Sequence, residues 1–248
     1  MHIVGHGFLA GHLKSITSAH PRTVVLAAGV SAAGNTSHDE YGREAEVLYD
    51  VASRCAARGE RLVFFSTASA GMYSVPGGIG EEDGPVFPGT PYGRHKLALE
   101  AVLTSSPADY LILRLAHVIG PRQPAHQLIP SLAAQIRRGE VSIKSGARRD
   151  LIDVDDVVRI IDELLTAEVS REVVNVASGV AVPVEQIVEQ LELRLGQSAV
   201  RRYDDSPRAQ TVSVEKLRRL APCVAGMNFG PDYFRTVLDK YIDVFAPI

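Results

Sequence analysis

The sequence is poor in the features that mark several large protein classes. Its 248 residues include two cysteines, Cys55 and Cys223, spaced for neither a zinc site nor a disulfide framework. Simple packing accounts for both, and so little cysteine suits a reducing compartment, so a cytoplasmic protein is expected. No apolar run approaches the ~18 residues of a membrane-spanning helix. The N-terminal stretch has no basic segment followed by a long apolar core, so no secretory signal is read there. Neither sign of charge is in large excess. A net charge of −3 gives no general attraction to nucleic acid or anionic lipid. No repeat, low-complexity tract or metal-ligating cluster is found, so no metal is expected.

What remains is the make-up of an ordinary globule, 46% apolar and 22% charged. Apolar runs at His2–Val4, Thr23–Ala28, Arg61–Phe65, Tyr110–Leu115, 141–144 and 172–177 read as strands. Helical patterns near 8–16, 39–58, 92–104, 126–138, 154–166, 183–195 and 231–245 alternate with them. Such alternation predicts βαβ units and a mostly parallel sheet. Ser37 with Glu40 forms a capping box before the second helix, and Gly59 stops it.

The stretch from Ser66 to Lys96 carries the most chemistry. Ser66, Thr67 and Ser69 end a strand, at the sheet edge where ligands bind in open α/β folds. Tyr92 and Lys96 stand four apart after Thr90-Pro91, on one face of a helix. A lysine beside a phenol favours the phenolate, and a nearby hydroxyl can hold a substrate oxygen against it. Together they form a proton-transfer device for a carbonyl or alcohol.

The N-terminus reads Gly5-His6-Gly7-Phe8-Leu9-Ala10, a G-x-G-x-x-A between a strand and a helix. That is the context in which the pattern means dinucleotide binding: a tight turn at the first glycine, close backbone approach at the second, and close packing at the alanine. A dinucleotide site usually adds an acidic residue ~20 positions later, on a ribose. Here no Asp or Glu occurs before Asp39. Either the ribose contact is made otherwise, including to a 2′-phosphate, or that half of the site is missing.

Seven stretches in register give the chain a resemblance to the extended short-chain dehydrogenase/reductases, the NAD-dependent epimerase/dehydratase group acting on nucleotide sugars. They are Val4–Ala10, Leu26–Gly29, Phe64–Thr67, Pro91–Lys96, Leu113–Pro121, Arg149–Asp156 and Val174–Gly179. The resemblance implies a truncated Rossmann-like, doubly wound parallel sheet with a small C-terminal substrate-binding subdomain. Two early strands are missing, because only about Thr17–Arg22 separates the first helix from the strand ending at Gly29; the first strand is therefore expected at or near an edge. Residues 1–119 and 150–177 are assigned to the cofactor part of a single α/β unit, and 120–149 and 178–248 to the substrate-binding part.

The resemblance also implies roles. Tyr92 is the acid/base and Lys96 its partner; the catalytic hydroxyl is Thr67 if the strand end is the anchor, or Ser69 if Met72-Tyr73 is. NAD or NADP would meet Gly5, Gly7, Phe8, Leu9, Ala27, Ala28, Gly29, Ser66, Tyr92, Lys96, Leu115 and Val118. The nucleotide sugar would meet Ser69, His117, Gln127 and Arg149, the last clamping its diphosphate, with Arg201, Arg202 or Arg208 as a second phosphate contact. His117 replaces a common asparagine and adds a group titrating near ~6.5. A homodimer through helices 39–58 and 92–104 is a further expectation.

Thr67 is followed by Ala68-Ser69 rather than the Asp-Glu pair of the family's 4,6-dehydratases. Reduction of an NDP-4-keto-6-deoxyhexose is the reading preferred, with epimerisation as the alternative. A nucleotide-sugar-binding protein without firm dinucleotide binding or redox activity is the reading from another class.

Overall fold

The computed structural model describes residues 1–31, 37–69, 72–73, 78–204 and 211–245. Arg208 and residues 75–77 of the glycine- and proline-rich stretch lie outside them. The central sheet is parallel throughout, in the order β1 (His2–Val4), β2 (Thr23–Leu26), β3 (Arg61–Thr67), β4 (Asp109–Leu115) and β8 (Glu172–Val176). β3 and β4 are buried along almost their whole length because helices cover both faces. Side-chain alternation divides the core: Leu62 and Phe64 face α2 (His38–Arg58) and α3 (Pro91–Thr104), whereas Val63, Leu111 and Leu113 face α5 (Val154–Thr166).

β1 pairs only with β2 and so forms the sheet's edge, as the shortened connection requires. The first helix is shorter than its pattern predicts. α1 spans Phe8–His12, and Leu13–Ile16 tightens into a 3₁₀ turn. Gly11 weakens the helix interior, and the glycine at its N-cap has no side chain to cap with. Gly5 sits at φ +118°, where a Cβ would lie 2.5 Å from the Ala27 carbonyl oxygen. Only glycine lets β1 and the end of β2 approach so closely.

α2 is capped as its sequence predicts: Glu40 N–H donates to Ser37 Oγ at 3.3 Å, and Gly59 ends it in the left-handed conformation. A second apolar core gathers α4 (Leu128–Arg137), α6 (Val184–Leu195) and α8 (Tyr233–Phe245) around Ile119, Ile143 and Leu151. Two small sheets border it, a parallel pair of β6 (Glu140–Lys144) with β10 (Val200–Asp204) and a three-stranded β5 (His117–Ile119), β7 (Arg148–Asp153), β9 (Ala181–Pro183). β5, β7, β9, β10 and the short α7 (Glu215–Leu220) are elements the periodicity did not reveal. Among the described residues no helix is long and apolar enough to cross a membrane.

Candidate active site at the carboxyl edge of the sheet

A cavity of about 430 Å³ opens at the carboxyl ends of β2, β3 and β4, a volume within the usual range for small-ligand sites. The Gly7–Leu9 turn, Ala27 and Gly29 form one wall, and Leu115 to Val118 line the opposite side. Ser66, Thr67, Ser69, Tyr92, Lys96, Gln127 and Arg149 all reach it. Gly5 instead shapes the turn behind this wall, and Ala28 faces a neighbouring groove. Arg202 is not brought to the cavity. It lies exposed on β10, 3.3 Å from Glu140, because the β6–β10 ribbon carries it on its own face. Arg201 pairs with Glu192 at 2.8 Å.

α3 is built to present Tyr92 and Lys96. Thr90 caps it by accepting from Gly93 N–H at 3.0 Å, and Pro91 occupies the first turn. Tyr92, Lys96, Leu99, Glu100 and Leu103 are buried on one stripe. Glu100, one turn beyond Lys96, receives the Ser66 hydroxyl and a bidentate clasp from Arg114 on β4, at 2.7 Å for the shortest bond. Arg114 also donates to Tyr73 Oη at 2.9 Å and the Glu82 carbonyl at 3.2 Å, and Tyr73 donates to Asn175 at 2.6 Å. This buried network fixes the register of α3 against the end of β3. At that end Thr67 Oγ1 accepts from Ser69 N–H at 3.0 Å and lies 2.8 Å from Ser69 Oγ. Both hydroxyls reach the cavity as one coupled pair, which the sequence treated as alternatives.

Lys96 has a partner that motif reading missed. Its ammonium donates to Glu44 on α2 at 2.5 Å and to the Phe65 carbonyl at 3.1 Å. Glu44 stays ionised, below the usual carboxylate range: burial opposes its charge, but bonds from His95, Lys96 and Val30 N–H outweigh burial. The Tyr92 phenol is accordingly raised, not lowered: burial leads, Glu44 and Tyr41 add to it, and Lys96 only partly offsets them. A signal for Glu44 existed only as a lone acid on the inner stripe of α2, beside Leu48.

His117 does not titrate near neutrality. Burial and the positive charge of Arg149 push it down to about 3, so the ring is neutral. Arg149 itself donates to the Arg148 carbonyl at 2.8 Å, and the adjacent Asp150 turns away to Ser178 and Gly179 at 2.7–2.9 Å. Arg149 thus keeps its guanidinium charge on the cavity wall with no carboxylate within ion-pair distance among the described residues. No group of three or more potential metal ligands occurs among the described residues.

Residues 11–177 match the NAD dependent epimerase/dehydratase family. The chain belongs to this family. The match begins just beyond the Gly5–Ala10 turn. A dTDP-6-deoxy-L-talose 4-dehydrogenase (NAD(P)(+)) of Kitasatospora kifunensis is 32% identical over 146 residues, covering 53% of this chain and 45% of that protein. A dTDP-glucose 4,6-dehydratase of Streptomyces niveus is 28% identical over 171 residues, covering 65% and 50%. The chain therefore spans about half the length of the curated relatives it matches. Among solved structures, RMD from Pseudomonas aeruginosa complexed with NADPH superposes with a TM-score of 0.79 at 19% identity, covering 98% of this chain and 97% of that one. The fold is thus that of this family's Rossmann-type members, with an acidic residue set directly on the lysine of its Tyr-x-x-x-Lys segment.

Proposed function

We propose that the protein reduces a nucleotide-linked 4-keto-6-deoxyhexose with NADH or NADPH. The observation that carries this is the convergence, in one cavity, of Tyr92, Lys96, the Thr67/Ser69 hydroxyls and the uncompensated Arg149, with no carboxylate beside Thr67. A 4,6-dehydration needs paired acid and base on the sugar, which Ala68 and Ser69 do not supply.

The residues fit a dinucleotide at its diphosphate and nicotinamide ends. A Cβ at Gly7 would point into open space, 4.0 Å from its nearest neighbour, so backbone there is free to approach a diphosphate. Gly7, Phe8 and Leu9 would hold that group, Leu115 and Val118 the ring, and Lys96 the adjoining ribose. When bound, the reduced cofactor would supply the hydride that the ketone carbon takes up. Tyr92 gives its phenolic proton to the ketone oxygen, so that C=O becomes CH–OH and the phenolate is left to be reprotonated from solvent. Thr67 and Ser69 hold the same oxygen by donated hydrogen bonds, which strengthen as negative charge develops there. Arg149 meets the sugar's diphosphate with two parallel N–H donors. The neutral His117 donates or accepts toward the sugar without adding charge.

The test is equilibrium binding of NADH and NADPH followed by turnover of dTDP-4-keto-6-deoxyglucose. The expected result is cofactor oxidation matched by a reduced sugar; inversion of a 4-hydroxy dTDP-hexose with oxidised cofactor present and no net change in it supports epimerisation instead. A second reading has its own support, the edge position of β1 and the lack of any acid before Asp39. On it, the chain binds nucleotide sugars without firm dinucleotide binding. Failure of all four oxidised and reduced cofactors to bind at millimolar concentration, with dTDP-sugar binding intact, would establish it and remove the reductase reading.

A further inference from the structure

One buried group stands against the reacting pair with no part in the reaction as written. Glu44 projects from the inner face of α2 with its side chain 2% exposed. Oε1 accepts from Lys96 Nζ at 2.5 Å; Oε2 accepts from Val30 N–H at 3.1 Å and lies 3.0 Å from His95 Nε2. The backbone beneath is Gly29, where a Cβ would collide with this carboxylate and lie 3.0 Å from Lys96 Nζ. His95 in turn stacks on Tyr41 at 4.3 Å between ring centres. The carboxylate is thus held from three sides, on a helix packed against α3, in a place shaped around it.

A buried ammonium and a buried carboxylate in contact form a neutral pair, whose field on a third group is much weaker than that of the ammonium alone. A phenol beside a lone ammonium loses its proton easily; beside a neutral pair it keeps it. Ketone reduction begins from the phenol, and alcohol oxidation from the phenolate. We propose that Glu44 is a positioning residue of the Tyr92–Lys96 pair: it pins the ammonium against the Phe65 carbonyl and cancels much of its field, holding Tyr92 in the proton-donating form that a reduction starts from. The meaning for catalysis rests on the reductase reading; the coupling itself does not. The groups facing this cluster are Lys96, His95 and Arg94 from α3, Glu44, Tyr41, Glu40 and Arg43 from α2, and His117, His126 and Arg149 across the cavity.

The experiment is a pH titration of the cofactor-free protein labelled with ¹³Cζ-tyrosine, with the Tyr92 signal assigned from Tyr92→Phe. The wild-type midpoint is the reference for the variants and is expected above the ordinary 10.0 of tyrosine, chiefly because the ring is buried. Glu44→Gln moves the midpoint to lower pH, and Glu44→Asp, which keeps the charge, stays nearer the wild type. An unmoved Gln variant, or an Asp variant that shifts as far as Gln, overturns it, since shape and not charge would then matter. With cofactor and ketone present, the alkaline limb of the kcat/KM profile moves to lower pH in Glu44→Gln by the same amount as the titration. Absent turnover in the wild type with the titration shifts intact refutes the reductase reading and leaves the coupling standing. Turnover with no shift does the reverse.

Discussion

Replacing Arg114 by leucine tests whether the site rests on the buried clasp behind it. Arg114 and Glu100 are each 4% exposed in their side chains and meet through bonds of 2.7, 3.0 and 3.2 Å. Removing the guanidinium leaves Glu100 as an ion in the interior, with the Ser66 hydroxyl as its remaining side-chain donor. It also takes a donor from Tyr73 and from the Glu82 carbonyl. Breaking a buried pair from one side costs about 3–5 kcal/mol. At roughly 2–4 °C per kcal/mol for a chain of this size, the melting temperature should fall by about 6–20 °C.

Urea denaturation followed by circular dichroism measures this, with Glu100→Leu and the double variant completing a cycle. The double variant should recover much of the loss, because an apolar pair of similar volume leaves no orphaned charge. A single-variant loss under about 1 kcal/mol, the range of an exposed pair, refutes the reasoning. So does a double variant that is the sum of the singles.

Three further outcomes are expected. Tyr92→Phe lowers kcat about 10²–10⁴-fold, the usual worth of a positioned general acid, with cofactor affinity nearly unchanged by fluorescence titration; normal turnover removes Tyr92 as the proton donor. Arg149→Met raises KM for the nucleotide sugar about 10–150-fold, from ~1.5–3 kcal/mol for a charged hydrogen bond, and leaves kcat nearly alone; an effect confined to kcat contradicts its role as a diphosphate clamp. His117 has a folded-state pKa of about 3 against an ordinary 6.5, so the unfolded chain binds its proton first as pH falls. Its contribution is complete above pH ~6.5 and is lost progressively below it, about 2 kcal/mol by pH 5 at ~1.4 kcal/mol per unit. The stability gap between wild type and His117→Asn in urea should therefore change by that amount between pH 7 and pH 5, and a constant gap counts against it.

The sequence was legible where a local signal was strong. The Ser37 cap, the Gly59 stop and the Thr90-Pro91 start set the ends of α2 and α3 within a residue or so, because capping chemistry is local. The edge position of β1 followed from the length of one connection. What was hidden depends on the third dimension. Glu44 and Lys96 are separated by 52 positions, and Arg114 and Tyr73 by 41, so no spacing rule joins them. β5 and β9, of three residues each, are too short to show a period, and α7 has only six. The net position of Tyr92 is hidden for a related reason: the i, i+4 rule supplies the cation that lowers the phenol, but not the burial that raises it most or the carboxylate that adds to the rise. Arg202 drew notice for its charge alone, and its neighbour Glu140 accounts for that charge.

The missing strands bear on the two ends of the cofactor unequally, and this leads to a last prediction. Thr67, Leu115 and Tyr92 stand on β3, β4 and α3, and β3 pairs with β4 through seven register positions from Arg61↔Asp109 to Thr67↔Leu115. β1, which carries the glycine turn, is held by three positions at an open edge. No acid before Asp39 stands ready for the far ribose. The chemistry end is therefore set independently of the adenosine end, and the shortening should appear in cofactor affinity rather than in kcat at saturation. Reduced nicotinamide mononucleotide, which lacks adenosine, is the probe. Its kcat/KM should fall short of that of NADH by less than about 100-fold, ~2.8 kcal/mol, with a similar kcat. A far larger deficit would mean that the adenosine is gripped strongly after all, by backbone and side chains that need no carboxylate, and the argument from the lost strands would fail.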